Sequence, residues 1–368
     1  MGSGGRAITV LATETTPQSP PGTPLPSPPP SPLKPSSSFR SSLIHEKSSF
    51  WTWDGLTWVV GMVQASCFSM VYYVVPCYLI SAVGVLVWTR GQSYVALAYA
   101  TPLVLSAILP PIPMPAAIAC LKPMLQYFDS YEQIIEVSPI DTIDRVSRGE
   151  KNYILAAQPH GVVTYNGILG AVAAPSELQG RIPTAVADVV LWTPILKHVI
   201  GIFGLISASK KSLVETLKKK GFPGTVMLYT GGIAELFLSD EKEERLYLKN
   251  RKGFIKLSLQ TGVDVIPVYL FGNTTVLSVL KTSLLPTLSR KLGISLTYMW
   301  GKWGLPIPRN DCKLLYVSGQ PIGIPQIPHP TQEDIDKYHN LYCLQVQNLF
   351  DKYKEKVPEY KHKKLHII

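Results

Sequence analysis

The residues best suited to chemistry surround one histidine, His160. It lies in the run Gln158-Pro159-His160-Gly161, which directly follows the apolar strand pattern of residues 153–157. Proline fixes the backbone before the histidine, and glycine permits a close approach after it. A histidine held rigidly at the carboxyl end of a strand can act as a general base. His160 is therefore the candidate catalytic base, the alternative being a histidine that only packs in the core.

A second candidate is Glu235, which follows two glycines, Gly231 and Gly232, after another strand pattern. Glycines before an acid are common in ordinary turns, so this motif alone is weak. Beside His160, a carboxylate bonded to the second imidazole nitrogen would fix the tautomer and stabilise the imidazolium that forms. The sequence therefore predicts a catalytic unit of His160 and Glu235, with Gly161, Gly231 and Gly232 close to the substrate.

A basic segment, residues 250–256, opens a predicted helix. Cations near a helix N-terminus suit a phosphate-rich ligand such as coenzyme A. The alternative is a solvated basic turn. The residues of this segment that we predict to bind substrate are Asn250, Arg251, Lys252, Gly253, Phe254 and Lys256.

These candidates need a sheet that brings the ends of several strands together. From residue 122 onward, short β-branched runs alternate with helical patterns, which predicts βαβ units. The predicted strands are 153–157, 184–190, 225–229, 263–269 and 314–318, and the predicted helices are 194–203, 209–220, 252–260 and 332–353. In the last helix, the spacing of Tyr338, Leu341, Leu344 or Gln345, and Leu349 predicts the face that covers the core. We expect an α/β domain over residues 122–368, with a mixed sheet flanked by helices.

The segment before this domain is almost free of charge. Residues 55–121 contain one charged residue, Arg90, and the 35 residues before it, 55–89, contain none. A helix that spans a membrane needs about 20 apolar residues. The second stretch, 94–109, ends in a proline-rich run that cannot continue a helix. We predict a membrane-embedded helical hairpin over residues 51–121, either spanning or re-entrant, the alternative being a buried pair of helices in a soluble protein.

The composition supports a membrane protein with an unstructured N-terminus. Residues 1–50 are rich in proline and serine and have little to bury, so we predict a disordered tail. Charged residues make up 16% of the chain, too few for a typical soluble enzyme. The net charge of +10 comes without a nucleic-acid-binding motif, which favours a membrane face or an anionic co-substrate over nucleic acid. Five cysteines without a CxxC pair exclude a disulfide scaffold and a cysteine-based zinc site.

Taken together, residues 51–357 resemble the type 2 diacylglycerol acyltransferase family, which includes monoacylglycerol and wax-alcohol acyltransferases. The segments that carry the resemblance follow one linear order: the apolar hairpin, 158–161, 207–209, 231–235, 251–257, 267–272 and 317–322. The family motif usually has histidine where this chain has Gln158, and proline where it has Thr230. His160 matches the second histidine of the motif, which the resemblance implies is catalytic.

The resemblance implies a membrane-bound, acyl-CoA-dependent O-acyltransferase. His160 would take a proton from the acceptor hydroxyl, whose oxygen attacks the thioester directly. Backbone amides near Gly161 or near Gly231 and Gly232 are alternative donors to the oxyanion. Acyl-CoA would be a co-substrate, and neither a cofactor nor a metal is implied. The chain has no Gly-x-Ser-x-Gly elbow that could supply an acyl-enzyme nucleophile.

The resemblance also implies an acceptor and a location. Diacylglycerol is the expected acceptor, giving triacylglycerol, with monoacylglycerol or a fatty alcohol as alternatives. A weakly active structural protein of lipid droplets is a further alternative, which Gln158 favours and His160 with Glu235 opposes. We expect the endoplasmic reticulum membrane with the catalytic domain in the cytosol; the lipid-droplet surface and a homo-oligomer are left open. Asn273-Thr274-Thr275 is a formal glycosylation sequon that we predict is unused.

Overall fold

Two apolar helices begin the part of the chain that the structure describes. The computed structural model describes residues 53–136, 144–238, 243–282, 289 and 297–368, so the predicted tail lies outside the described residues. Helix α1 is Trp53–Trp88 and helix α2 is Tyr94–Ile108. The turn between them contains Arg90 and Gly91 at positive φ, 51° and 68°. The predicted pair of helices is present, and within the described ranges only α1 is long and apolar enough to cross a membrane.

Helix α1 packs on the rest of the protein along its first half. Ala65 and Phe68 are buried there, and the Tyr165 hydroxyl donates a hydrogen bond to the Ala65 carbonyl at 2.9 Å. Val75 lies in a small apolar cluster with Leu196. Further along the helix the contacts are with α2, whose Tyr99 ring meets Tyr78 edge to face at 5.0 Å. The first half of α1 therefore anchors the hairpin to the rest of the protein.

The remaining chain alternates strands and helices, as the βαβ pattern predicts. The strands are β1 Ser130–Ile135, β2 Tyr153–Gln158, β3 Thr184–Val186, β4 Leu205–Ser207, β5 Val226–Tyr229, β6 Glu244–Leu246, β7 Asp264–Phe271, β8 Ser278–Val279, β9 Met299–Trp300, β10 Lys313–Ser318 and β11 Leu365–Ile367. The helices are α3 Pro115–Cys120, α4 Tyr165–Ala173, α5 Asp188–Trp192, α6 Leu196–Gly201, α7 Lys210–Leu217, α8 Ile233–Leu236, α9 Gly253–Thr261 and α10 Gln332–Tyr353.

Seven strands form one mixed sheet in the order β1-β10-β7-β2-β5-β3-β4. β7, β2, β5, β3 and β4 run parallel, whereas β10 is antiparallel to β7. The carboxyl ends of β7, β2 and β5 therefore lie side by side, which is where ligand sites form in open parallel sheets. The predicted mixed sheet is confirmed.

Helices cover both faces of this sheet. Along β2, Ile154 and Ala156 point to one face, where α7, α9 and α10 pack around Tyr342 and Phe350. Ala157 points to the opposite face, which α1 and α4 cover. The alternation follows from the period of two along a strand. It places Gln158, the last residue of β2, on the face of α10.

Most predicted elements agree with the structure, and the exceptions have local causes. The predicted helix 332–353 has the observed ends, and at its first end Thr331 forms a capping box with Asp334. Of the two alternatives for one position of its predicted face, Leu344 is 56% exposed and Gln345 is half-buried. The predicted strand 184–190 was too long. β3 ends at Val186, and Asp188 begins α5, where its carboxylate accepts a hydrogen bond from the Ser207 hydroxyl.

Candidate active site

His160 lies in the turn that follows β2, between the ends of β5 and β7. Its side chain is half-buried, and its ring meets the ring of Tyr229, the last residue of β5, at 5.3 Å. The Asn273 side chain, which follows β7 in the chain, donates hydrogen bonds to two backbone carbonyls of this turn. The sheet order thus brings together side chains that are far apart in sequence.

The imidazole of His160 has one nitrogen engaged and one available. Nδ1 lies 2.8 Å from the carbonyl oxygen of Gly161. A carbonyl can only accept, so Nδ1 carries the proton and Nε2 keeps its lone pair. No described residue hydrogen-bonds Nε2. Burial lowers the pKa of His160 below its ordinary 6.5, which favours the neutral ring that a general base requires.

Glu235 contacts the backbone of His160 and does not contact its ring. The Glu235 Oε2 accepts a hydrogen bond from the His160 backbone N–H at 2.9 Å. The predicted bond between this carboxylate and the imidazole is therefore wrong, because the Gly161 carbonyl takes that place. Burial raises the pKa of Glu235 to about 8, against the opposing effect of the His160 N–H. The raised pKa favours the uncharged acid, and Glu235 supports the turn through the His160 N–H.

Two of the three predicted glycines permit close contacts near His160, and the third allows a positive φ. A Cβ on Gly231 would lie 1.8 Å from the Glu235 Cδ, so any side chain there would displace Glu235. Gly161 has φ +65°, and a Cβ on it would lie 2.5 Å from the Asn273 Nδ2. Gly232, at φ 58°, is the residue before α8. The glycines predicted to lie near the substrate thus lie around His160, and their contact with substrate stays a prediction.

The basic segment divides into exposed and packed residues. Asn250, Arg251, Gly253 and Lys256 are exposed, and the Arg251 guanidinium stacks 5.1 Å from the Tyr247 ring. Arg251 lies close enough to lower the pKa of Glu235 slightly. Two residues of this segment contact other parts of the protein. Lys252 forms an ion pair with Asp336 at 2.7 Å, and Phe254 is buried against Tyr342 and His339. Their substrate-binding roles stay predictions.

An apolar cavity of about 250 Å³ lies between the sheet and the helices α4 and α1. Phe68 and Tyr72 of α1 line it, together with strand residues such as Leu155 and Met227. Tyr229 also lines it, and its ring meets the His160 ring in a T-shaped arrangement. The Tyr229 side chain therefore contacts both the cavity and the imidazole of His160.

Gln158 and Thr230, the two residues that depart from the family motif, contact each other. The Gln158 Nε2 donates to the Thr230 Oγ1 at 2.5 Å, and both side chains are buried. The contact joins the end of β2 to the end of β5 beside the candidate base. Sequence reasoning noted both departures but missed that they pair, and it also missed Tyr229 and Asn273. Only the shared position of these residues after predicted strands could have indicated their proximity.

Comparison with known proteins gives a consistent family. The family model described as "Diacylglycerol acyltransferase" matches residues 122–367. The chain is 31% identical over 251 residues to "Diacylglycerol O-acyltransferase 2-like protein 6" of Bos taurus, covering 62% of this chain and 72% of that protein. It is 32% identical over 223 residues to "Diacylglycerol O-acyltransferase 2" of Dictyostelium discoideum, covering 56% and 67%.

A relative with a different acceptor in its name is about equally similar. The chain is 31% identical over 223 residues to "Acyl-CoA wax alcohol acyltransferase 2" of Homo sapiens, covering 56% of this chain and 67% of that protein. Matches to the first relatives span 66% to 72% of their length. From the family match over residues 122–367, the chain belongs to the diacylglycerol acyltransferase family of acyltransferase enzymes.

Proposed function

We propose that this protein transfers an acyl group from acyl-CoA to the free hydroxyl of diacylglycerol, giving triacylglycerol. The observation that carries the proposal is the position of His160. A neutral imidazole with an available Nε2 lies just after the carboxyl end of the central strand β2, and its ring contacts Tyr229, which also lines an apolar cavity of about 250 Å³. A base that contacts the wall of an apolar cavity suits a reaction between a fatty acyl thioester and a lipid alcohol.

The proposed reaction is a direct transfer. The His160 Nε2 accepts the proton of the acceptor hydroxyl while its oxygen attacks the thioester carbonyl. The tetrahedral intermediate then expels the thiolate of coenzyme A, which takes the proton from the imidazolium. The Gly161 carbonyl supports the imidazolium through Nδ1–H, which is 2.8 Å away. No separate acyl-enzyme is required.

The oxyanion needs donors that are not used elsewhere. In the described part of the chain, no acceptor contacts the backbone N–H groups of Gly161 and Val162, which directly follow His160. We assign these two amides as the donors, because an oxyanion formed beside His160 lies within reach of the next residues in the turn. The amides of Gly231 and Gly232 are the alternative.

The cavity and the hairpin suggest how lipid substrates arrive. Many apolar side chains of the hairpin are exposed, among them Ile80, Val87, Trp88, Tyr94 and Val95. We propose that these side chains lie in the bilayer of the endoplasmic reticulum, with both ends of the hairpin on the cytosolic side. Because Phe68 and Tyr72 of the same helix line the cavity, we propose that an acyl chain enters the cavity from the membrane along α1.

A competition assay tests the proposed function. Purified full-length protein in lipid vesicles receives labelled acyl-CoA with diacylglycerol, monoacylglycerol and a long-chain alcohol together. We expect labelled triacylglycerol as the main product. A wax ester as the main product would show that the acceptor is a long-chain alcohol, and diacylglycerol as the main product would show that it is monoacylglycerol. No labelled ester from folded protein would favour the structural role in lipid droplets.

Removing the exposed cations of the basic segment should weaken acyl-CoA binding. Arg251→Ala and Lys256→Ala each lose a charge that can meet the phosphates of coenzyme A, so KM for acyl-CoA should rise several-fold with kcat little changed. Because salt screens exposed charges, the difference from wild type should shrink as ionic strength increases. Lys218→Ala, an exposed lysine at the end of α7, is the matched control. Equal KM in all four proteins would remove this assignment.

A further inference from the structure

Asn273 lies two residues after the end of β7, and all its side-chain polar atoms make hydrogen bonds beside His160. It is 1% exposed. Its Nδ2 donates to the His160 carbonyl at 2.7 Å and to the Pro159 carbonyl at 3.2 Å. Its Oδ1 accepts from the backbone N–H of Asn166 at 3.1 Å. Because two partners only accept and one only donates, the orientation of the amide is fixed by its surroundings.

Hydrogen bonds made by two neighbouring residues help to hold Asn273 in place. The side chain of Asn166 is fully buried and donates to the carbonyls of Phe271 and Leu315 at 3.0 and 3.1 Å. On the other side, the Thr274 hydroxyl donates to the buried carboxylate of Glu244 at 2.7 Å. These bonds tie Asn273 to the sheet, so it has little freedom to follow a displaced turn.

The contacts of Asn273 bear on the reacting ring through the backbone. The ring of His160 is oriented by the Gly161 carbonyl, which belongs to the next residue of the same turn. The Asn273 side chain donates to the carbonyls of Pro159 and His160. The Glu235 carboxyl accepts the backbone N–H of His160, which lies between these two carbonyls. Every described hydrogen bond that other elements make to Pro159 and His160 therefore comes from Asn273 or Glu235.

The same asparagine begins the sequon Asn273-Thr274-Thr275. A glycan would be attached at Nδ2, which is buried and donates to two carbonyls. The folded protein thus has no room for a glycan here. Occupancy of this sequon is therefore a poor reporter of which side of the membrane the domain occupies.

We propose that Asn273 is a positioning residue of the acyl-transfer reaction, which sets the direction of the His160 imidazole by holding the carbonyls of Pro159 and His160. This inference rests on the proposed function. A displacement of about 1 Å at a reacting group can cost about 10²-fold in rate. The side chain touches no reacting atom, so its removal should act on kcat and leave substrate binding nearly unchanged.

The first experiment separates positioning from glycosylation. Asn273→Ala removes the donors, and Thr275→Val removes the sequon while leaving the Asn273 side chain in place. We expect kcat to fall about 10²-fold in Asn273→Ala, with KM for acyl-CoA and for diacylglycerol within about twofold. Thr275→Val should keep kcat near wild type. Equal losses in both variants, or a normal kcat in Asn273→Ala, would overturn the inference.

A second variant keeps the test decisive if Asn273→Ala folds poorly. In Asn273→Asp, a protonated carboxyl can still donate to the His160 carbonyl, whereas a carboxylate places oxygen against oxygen. Activity relative to wild type should therefore fall as pH rises and the new acid ionises. The charged and titratable groups around it are His160 and Glu235 on the turn side and Glu244, Tyr360 and Lys363 behind Thr274.

The outcomes of this variant are distinct. A constant activity ratio to wild type across pH would contradict positioning by a donor at residue 273. If the wild-type protein itself transfers no acyl group, the proposed function fails, and Asn273 is then not tested through kcat. In that case the exchange rate of the His160 backbone amide decides, since the inference requires faster exchange in Asn273→Ala than in Thr275→Val.

Discussion

His160→Ala is expected to lower the turnover number by about 10² to 10⁴, the usual contribution of a general base. The variant loses a neutral ring whose Nε2 is available and which contacts Tyr229, a residue of the cavity wall. The turn itself should persist, because Asn273 and Glu235 bind the backbone of residue 160 and not its ring. Acyl-CoA binding should stay close to wild type, since the ring contributes to the transition state and little to the ground state.

The matched control is His329→Ala, which removes an exposed histidine before α10. Single-turnover rates with labelled acyl-CoA, together with acyl-CoA binding by the same preparations, give the comparison. We expect the rate of His329→Ala to equal that of wild type. A folded His160→Ala protein that keeps more than about a tenth of the wild-type rate would remove the basis of the mechanism.

The pH dependence of the rate should report the same group. Burial lowers the pKa of His160 below its ordinary 6.5, and the neutral ring is the active form. The kcat/KM for diacylglycerol should therefore rise with pH and level off, with its inflection below pH 6.5. His160→Ala should lose this inflection in its residual rate. An inflection above 6.5 would indicate a nearby anion that the structure does not place at the ring.

Local sequence patterns were sufficient for the elements that carry His160. Residues 153–157 are a continuous apolar run before Pro159 and Gly161, and such a run has few alternatives to a buried strand. The N-terminal end of helix 332–353 is also set locally, because Thr331 and Asp334 form a capping box that acts within four residues. In both cases the deciding interactions are close in sequence.

The contacts within the site were beyond such reasoning, because they depend on the order of strands. Asn273 reaches His160 only because β7 pairs with β2, and Tyr229 does so only because β5 lies on the other side. Gln158 and Thr230 pair for the same reason. Apolar periodicity predicts that strands exist, but it carries little information on which strands become neighbours. The sequence left Leu344 and Gln345 as alternatives on the core face of the last helix, and only the packed structure shows that Leu344 is the exposed one.

Glu235 gives the last prediction, in which two substitutions should differ. Glu235→Gln keeps an oxygen that can accept the His160 backbone N–H, and its amide resembles the uncharged acid that burial favours at neutral pH, since burial raises the pKa of Glu235 to about 8. Its kcat should stay within about tenfold of wild type. Glu235→Met has a similar size but no acceptor, so the turn loses one of its two supports and kcat should fall about 10²-fold.

The comparison separates two roles for this carboxyl group. If Glu235 acted as a negative charge that stabilises the imidazolium, both variants would lose activity to a similar degree. If it supports the backbone, only Glu235→Met is strongly impaired. Because this support acts through His160, the double variant His160→Ala with Glu235→Met should be little slower than His160→Ala alone. Single-turnover rates of the four proteins give this cycle.

The free energy of unfolding should report the ionisation of Glu235 independently of catalysis. The pKa of Glu235 is raised from 4.5 to about 8, so the folded protein keeps a proton that the unfolded chain releases above pH 4.5. This contribution is complete below pH 4.5 and is lost as pH rises to about 8. Glu235→Gln cannot ionise, so its free energy of unfolding should decline less than that of wild type over this range. Denaturant titrations in one detergent at several pH values measure the difference, and parallel curves for the two proteins would mean that Glu235 is charged in the folded state.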